Sequence, residues 1–93
     1  MSIAVSSTNR PHLARQARME WEPAREQHVL LAPEGVLVLN QTGATILGLC
    51  DGKRTVVEIV EELRDRYSHV ADDEVRDFLA RLVDKRWVEL GDE

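Results

Sequence analysis

The most reactive side chains of this sequence are one cysteine and three histidines, Cys50, His12, His28 and His69. The histidines are far apart and form no i,i+4 pair, whereas a metal site needs clustered ligands. Cys50 falls on the apolar side of a predicted helix without an adjacent base, where a cysteine acts as a small buried hydrophobe. We therefore predict no catalytic residue, no metal ligand and no cofactor.

The glycines and carboxylates form no catalytic pattern either. The glycines are spread singly, without the spacing of a phosphate-binding loop. The carboxylates at Glu58, Glu61, Glu62 and Asp65 are typical of a solvated helix face. The sequence favours a binding protein over an enzyme.

The chain has 93 residues and a formal net charge of −5, which suits one small domain. Residues 1–19 carry three arginines and no acid, so residues 20–93 carry −8, the total of −5 less +3. A domain of that charge repels phosphate, which argues against nucleic acid and anionic membranes as partners. Because one cysteine forms no intrachain disulfide, we expect a cytoplasmic protein.

The N-terminal segment, residues 1–17, shows no periodicity and few large apolar groups. We expect it to be a flexible arm. A single domain over residues 18–93 follows it.

The sequence after the arm predicts three strands. Apolar and charged residues alternate over 19–22, which indicates a short strand. Two apolar runs, 29–31 and 36–39, flank a turn that contains Pro33 and Gly35. This pattern predicts a β-hairpin.

Three helices are predicted next. The first lies between cap residues at 40–42 and a stop at Asp51-Gly52, and the second starts at the capping box Thr55-Val56-Val57-Glu58. The third runs from about Asp72 to Lys85, and residues 87–90 predict a short terminal strand or cap.

These elements predict an α+β fold of winged-helix type, with a short antiparallel sheet (the N-terminal strand plus the hairpin) packed on three helices. A winged helix raises a DNA-binding hypothesis in which the third helix reads the bases. However, residues 72–86 carry a net charge of −1 and begin with three acids. These acids disfavour DNA binding, and we keep a winged-helix DNA-binding protein as the alternative to the main hypothesis.

The segment Val36-Leu37-Val38-Leu39 is apolar on both faces, although a strand of a small sheet should present one polar face. Either the arm or another subunit covers the second face, or the strand is a docking edge to which an extended peptide adds. The pattern alone leaves both explanations open.

Several short motifs, taken in order and spacing, resemble the pyrroloquinoline quinone (PQQ) synthesis protein D family, PqqD. They cover roughly residues 20–90, and the most specific are the turn Leu31-Ala32-Pro33-Glu34-Gly35 and the segment Cys50-Asp51-Gly52. The others are Leu39-Asn40, Ile46-Leu47, Thr55-Val56, Ile59, Phe78-Leu79 and Leu82.

The resemblance implies a peptide chaperone, a recognition element for ribosomally made and modified peptides. It implies that the PQQ precursor peptide lies along the third strand, in the groove beside the third helix. It further implies that the complex is presented to a radical S-adenosylmethionine (SAM) enzyme that crosslinks a Glu and a Tyr of the peptide. On this resemblance, the iron–sulfur clusters and the S-adenosylmethionine belong to that enzyme.

Carried onto this sequence, the third strand spans 36–39, and the helix beside the groove starts at Asp72. We expect peptide contacts from the strand and from one exposed side of the helix. These residues are Val36, Leu37, Val38, Leu39, Asp73, Arg76, Asp77 and Ala80. Arg81 and Lys85 lie on another exposed shoulder of the helix.

One departure from the family falls at the end of the third helix. Arg86 stands where a Gly is common, so we expect the last turn to end differently. A homodimer that exchanges the arm and the first edge strand between two subunits is a further expectation.

Overall fold

The computed structural model describes residues 4–92 and shows an α+β fold, as predicted. Four strands lead into three helices, and a fifth strand ends the chain. The strands are β1 (Asn9–Leu13), β2 (Arg18–Glu22), β3 (Gln27–Ala32), β4 (Gly35–Leu39) and β5 (Val88–Asp92). The helices are α1 (Gln41–Gly48), α2 (Val56–Arg66) and α3 (Asp72–Asp84).

The predicted three-stranded sheet has the order β2-β3-β4, with both pairs antiparallel. A two-residue turn, Pro33-Glu34, joins β3 to β4 and leaves Ala32 opposite Gly35. Val29 faces Val38 and Leu31 faces Val36 across this hairpin. Among the strands of residues 4–92, this order leaves β4 with one hydrogen-bonded neighbour, β3.

A second sheet, formed by β1 and β5, contains residues 9–13. This pairing corrects the expectation of a flexible arm over residues 1–17. Pro11 pairs with Leu90 and is fully buried, and its carbonyl accepts the amide of Gly52 at 3.0 Å. A short polar segment that contains a proline carries little strand signal, and its partner lies at the other end of the chain. Residues 1–3 of the expected arm lie outside the described residues.

Side-chain caps fix the starts of the first two helices. The Asn40 carboxamide oxygen accepts the amide of Gly43 at 2.7 Å. At α2, Thr55 accepts the Glu58 amide and Glu58 accepts the Thr55 amide, as the capping box predicts. The hydrogen bond from the Thr55 amide holds the pKa of the Glu58 carboxyl below its usual value. These caps define where the chain enters each helix.

The last turn of α3 ends in a Schellman motif, the arrangement that usually contains a glycine. The amide of Arg86 donates to Val83 O and that of Trp87 to Leu82 O, both at 2.9 Å. Arg86 takes the left-handed position with φ 67°. The expectation of a different helix end is therefore wrong, because the arginine adopts the conformation that glycine favours.

The core lies between the helices and the inner face of the three-stranded sheet. Leu30 of β3, Ile59 and Leu63 of α2, and Leu79 of α3 are completely buried within it. Val88 joins the core from β5, which ties the second sheet to the helices. This packing fixes the position of α3 relative to the sheet.

Candidate functional site

Strand β4 presents apolar side chains on both faces, and only one face contributes to the core. Leu39 is 3% exposed and Leu37 packs partly against the core, whereas Val36 is 61% and Val38 is 38% exposed. On the outer face, Val29 of β3 is buried but lies apart from the core cluster. No strand within residues 4–92 pairs with the far edge of β4.

The backbone of β4 offers hydrogen-bonding groups at this open edge. In a hairpin with a two-residue turn, the closing pair exchanges hydrogen bonds, and bonded and non-bonded pairs then alternate along the strands. Ala32–Gly35 is the closing pair, so Leu30–Leu37 is bonded and the pairs of Val36 and Val38 are not. The N–H and C=O groups of Val36 and Val38 therefore point away from β3.

A cavity of about 290 Å³ lies between this edge and α3, and we refer to it as the groove. Its strand side is formed by Leu37, Val38, Leu39 and Asn40. Its helix side is formed by Phe78, Arg81, Leu82 and Lys85, which recur at the spacing of one helix face. The groove thus runs beside the unpaired edge of β4.

The charged side chains of the groove are both cations. Arg81 and Lys85 are exposed, and none of the acidic residues within 4–92 lines the groove. This local charge is opposite to the net charge of −5 on the whole chain. The groove therefore attracts acidic groups.

Of the four predicted strand residues, Leu37, Val38 and Leu39 line the groove, and Val36 lies on the same strand beyond it. The four predicted helix residues lie elsewhere. Asp73, Arg76, Asp77 and Ala80 line a separate cavity of about 280 Å³ that Ala4 and Val5 also line. The guanidinium of Arg76 pairs with Asp72 at 3.1 Å. The shoulder that carries Arg81 and Lys85 is the side of α3 that faces β4.

Cys50 is buried, and His12 and His28 each contact one neighbouring side chain. Cys50 is 7% exposed and its thiol donates to Ile46 O at 3.2 Å, and burial raises its pKa to about 12. His12 lies 3.1 Å from the exposed Glu89 carboxylate, and His28 lies edge-on to Trp21 with ring centroids 5.1 Å apart. Within residues 4–92, no three His, Cys, Asp or Glu side chains form a group that could hold a metal ion. In the same part of the chain, no helix has both the length and the apolarity to span a bilayer.

The fold and the groove define a class: small α+β domains in which an unpaired strand edge lies beside a helix. The chain belongs to the coenzyme PQQ synthesis protein D (PqqD) family, whose model matches residues 27–88. The matched range contains β3, β4, the three helices and the whole groove.

Relatives with assigned names support this membership. The chain is 44% identical over 82 residues to the PqqA binding protein of Azotobacter vinelandii, covering 86% of this chain and 89% of the relative. It is 40% identical over 88 residues to the PqqA binding protein of Stutzerimonas stutzeri, covering 92% and 96%.

Two solved structures share the fold. One is the solution structure of the PqqD part of Methylobacterium extorquens PqqCD, described as a stand-alone recognition element for ribosomally synthesised, modified peptides. It matches with a TM-score of 0.74 and 34% identity over 92% of this chain and 95% of that one. The other is the heterocyclase TruD, with a TM-score of 0.64 and 27% identity over 88% of this chain and 11% of TruD.

Proposed function

We propose that this protein is a peptide chaperone of PQQ biosynthesis that binds the PqqA precursor peptide as an added strand on β4. The observation that carries the proposal is the unpaired edge at Val36 and Val38, whose backbone groups point outward beside the groove. Main-chain hydrogen bonds at such an edge supply affinity, and neighbouring pockets supply selectivity. The names of the relatives support a peptide as the partner.

On the helix side, the proposed contacts are Phe78, Arg81 and Lys85. The phenyl ring offers an apolar wall, and the two cations favour acidic side chains of the peptide. A peptide role for Asp73, Arg76, Asp77 and Ala80 stays a prediction. The geometry argues against this role, because these residues line a cavity that includes no residue of β4.

The bound peptide is presented to a radical SAM enzyme that crosslinks its Glu and Tyr. The family resemblance supplies this step, and the geometry supports it in one respect. A peptide added to β4 becomes the new edge strand of the sheet, so its far side stays open to a second protein. The chain itself contributes binding and orientation of the peptide in this scheme.

The test is a titration of ¹⁵N-labelled protein with unlabelled synthetic PqqA peptide, followed by amide NMR. We expect the largest shifts at residues 36–39 of β4 and near Arg81 and Lys85 of α3. Glu61 and Asp65, exposed on α2 and absent from the groove lining, serve as internal controls.

Shifts confined to residues 4–17 or to α2 would contradict edge-strand binding. Shifts around Asp73 and Arg76 without shifts at β4 would move the site to the other side of α3. Absence of any shift at high peptide concentration would contradict the proposed function itself.

A further inference from the structure

A second cavity, of about 240 Å³, opens at the Asn40 end of the groove. Asn40 and Phe78 line both spaces, so the groove and this cavity adjoin at these two residues. Asn40 has an extended backbone, with φ −76° and ψ 174°, so the direction of β4 continues through it. A peptide that follows β4 past Leu39 therefore arrives at the mouth of this cavity, which we call the end pocket.

The walls of the end pocket are mainly apolar. Ile46, Leu63 and Val75 are buried, and Val70 and Phe78 are partly buried. The polar lining residues other than Tyr67 are exposed, namely Asn40, Thr42, His69 and Glu74. The Tyr67 hydroxyl lies 3.0 Å from the Thr45 hydroxyl and is already hydrogen-bonded. An apolar group therefore loses no hydrogen bond by entering beside it.

The size of the end pocket points to a side chain. Pockets for small-molecule ligands span about 300–1,000 Å³, and this one is smaller. Gly43 shapes its junction with the groove, since a Cβ there would lie 3.3 Å from Phe78 Cζ and 3.1 Å from Asn40 Oδ1. The missing side chain allows the Phe78 ring to lie against α1.

We propose that the end pocket receives an apolar side chain of the same peptide that pairs with β4. This inference rests on the proposed function and adds a sequence requirement for the peptide. The peptide must have an apolar residue, the anchor, at the Asn40 end of the groove. It must also have an acidic residue at the other end, near Arg81 and Lys85. Because side chains of a strand alternate between faces, the acid and the anchor share a face only if an odd number of residues lies between them.

The experiment compares Val70→Trp, which fills the end pocket, with Ser68→Trp in the same connection between α2 and α3. Ser68 is exposed and does not line the pocket. With synthetic PqqA peptide, we expect Val70→Trp to raise Kd at least about tenfold and Ser68→Trp to leave it within about twofold. A folded Val70→Trp protein that binds as tightly as the wild type would overturn the inference.

The second arm keeps the wild-type protein and changes the peptide, so it does not depend on the folding of Val70→Trp. Each apolar peptide residue is replaced by serine in turn. We expect one replacement to weaken binding at least about tenfold and to abolish the peptide-induced shifts of the Val70 and Ile46 methyl groups. If these methyl groups never shift while β4 responds, the end pocket is empty and strand addition stands. If wild-type protein binds no peptide, the proposed function fails and this inference fails with it.

Discussion

At the scale of single residues, the positions of the two positively charged side chains in the groove say most about which ligand it binds. Arg81 and Lys85 are exposed on the side of α3 that faces β4. A helical wheel separates the buried side of α3 from the exposed side, but it does not tell which exposed shoulder meets the strand. That choice depends on how α3 packs through Leu79 and Leu82, which only the folded structure defines.

We expect Arg81→Ala and Lys85→Ala each to raise the Kd for PqqA peptide. Exposed ion pairs contribute about 0.2–1 kcal/mol, which corresponds to about a 1.4- to 5-fold change in Kd. The effect should shrink at high salt, because exposed charges are screened. Isothermal titration calorimetry at two salt concentrations measures it.

Arg76→Ala is the matched control, because Arg76 lies on the same helix but lines the other cavity. If the peptide contacts only the groove side of α3, this substitution leaves the Kd unchanged, whereas a peptide role for Arg76 would raise the Kd. If Arg76→Ala weakened binding more than the two groove substitutions, the peptide would lie on the Asp73–Ala80 side of α3.

Arg86 is the residue at which the sequence prediction of a different helix end was wrong. A left-handed conformation costs a non-glycine residue free energy, and the surrounding hydrogen bonds of the Schellman motif hold Arg86 in it. Arg86 is exposed and does not line the groove, so its conformation has no direct contact with the proposed peptide site.

We expect Arg86→Gly to raise the free energy of unfolding by about 0.5–1 kcal/mol, because removing a left-handed penalty of about 1–2 kcal/mol outweighs the extra chain entropy that glycine loses, about 0.5–1 kcal/mol. Urea unfolding measures the change, and the affinity for peptide should stay the same. Asp84→Gly, two residues earlier within α3, should lower stability because glycine is a poor helix former. A destabilised Arg86→Gly protein would contradict the assigned cap geometry.

At the scale of elements, β4 combines a packed face with an unpaired edge. The apolar run 36–39 predicted a strand with an unusual second face, and the structure shows Val36 and Val38 exposed on that face. The sequence could not say whether a neighbour covers it, because strand order depends on tertiary packing. The order β2-β3-β4 leaves the far edge of β4 unpaired, and the exposure of Val36 and Val38 shows that residues 4–92 leave this face open.

We expect Val38→Pro to raise the Kd for PqqA peptide at least about tenfold, because proline removes the outward N–H and places its ring at the edge. Val38→Ala keeps the N–H and should bind within about threefold of the wild type. Circular dichroism confirms that both variants fold. Tight binding by a folded Val38→Pro protein would contradict pairing at this position.

The other elements show where sequence patterns succeed. The capping box and the apolar spacing of α2 and α3 are local signals, and both helices lie where these signals place them. Strand β1 was missed because its stability comes from β5, some 75 residues later, and from the Gly52 amide on Pro11. Pairing over such a distance leaves little trace in a short segment.

At the scale of the whole molecule, charge is distributed unevenly over the surface. The chain carries −5 overall, whereas two cations and, among residues 4–92, no acid line the groove. The net charge of −8 over residues 20–93 therefore does not describe the charge of this surface. The groove can attract an acidic peptide although the net charge of the chain is negative.

The N-terminal segment is part of the folded domain. Through β1 it pairs with β5, and Val5 is buried in the core cluster. A homodimer that exchanges the arm and the first edge strand stays a prediction. Such an exchange would form the same β1–β5 pairing between two subunits.

Amide hydrogen exchange in the presence of PqqA peptide tests the central claim most directly. In the free protein, the amides of Leu37 and Leu39 are bonded to β3 and should exchange slowly, whereas those of Val36 and Val38 point to solvent and should exchange fast. On binding, we predict that exchange at Val36 and Val38 slows at least about tenfold, because the peptide backbone accepts these amides. Saturated binding with unchanged exchange at Val36 and Val38 would contradict strand addition on β4.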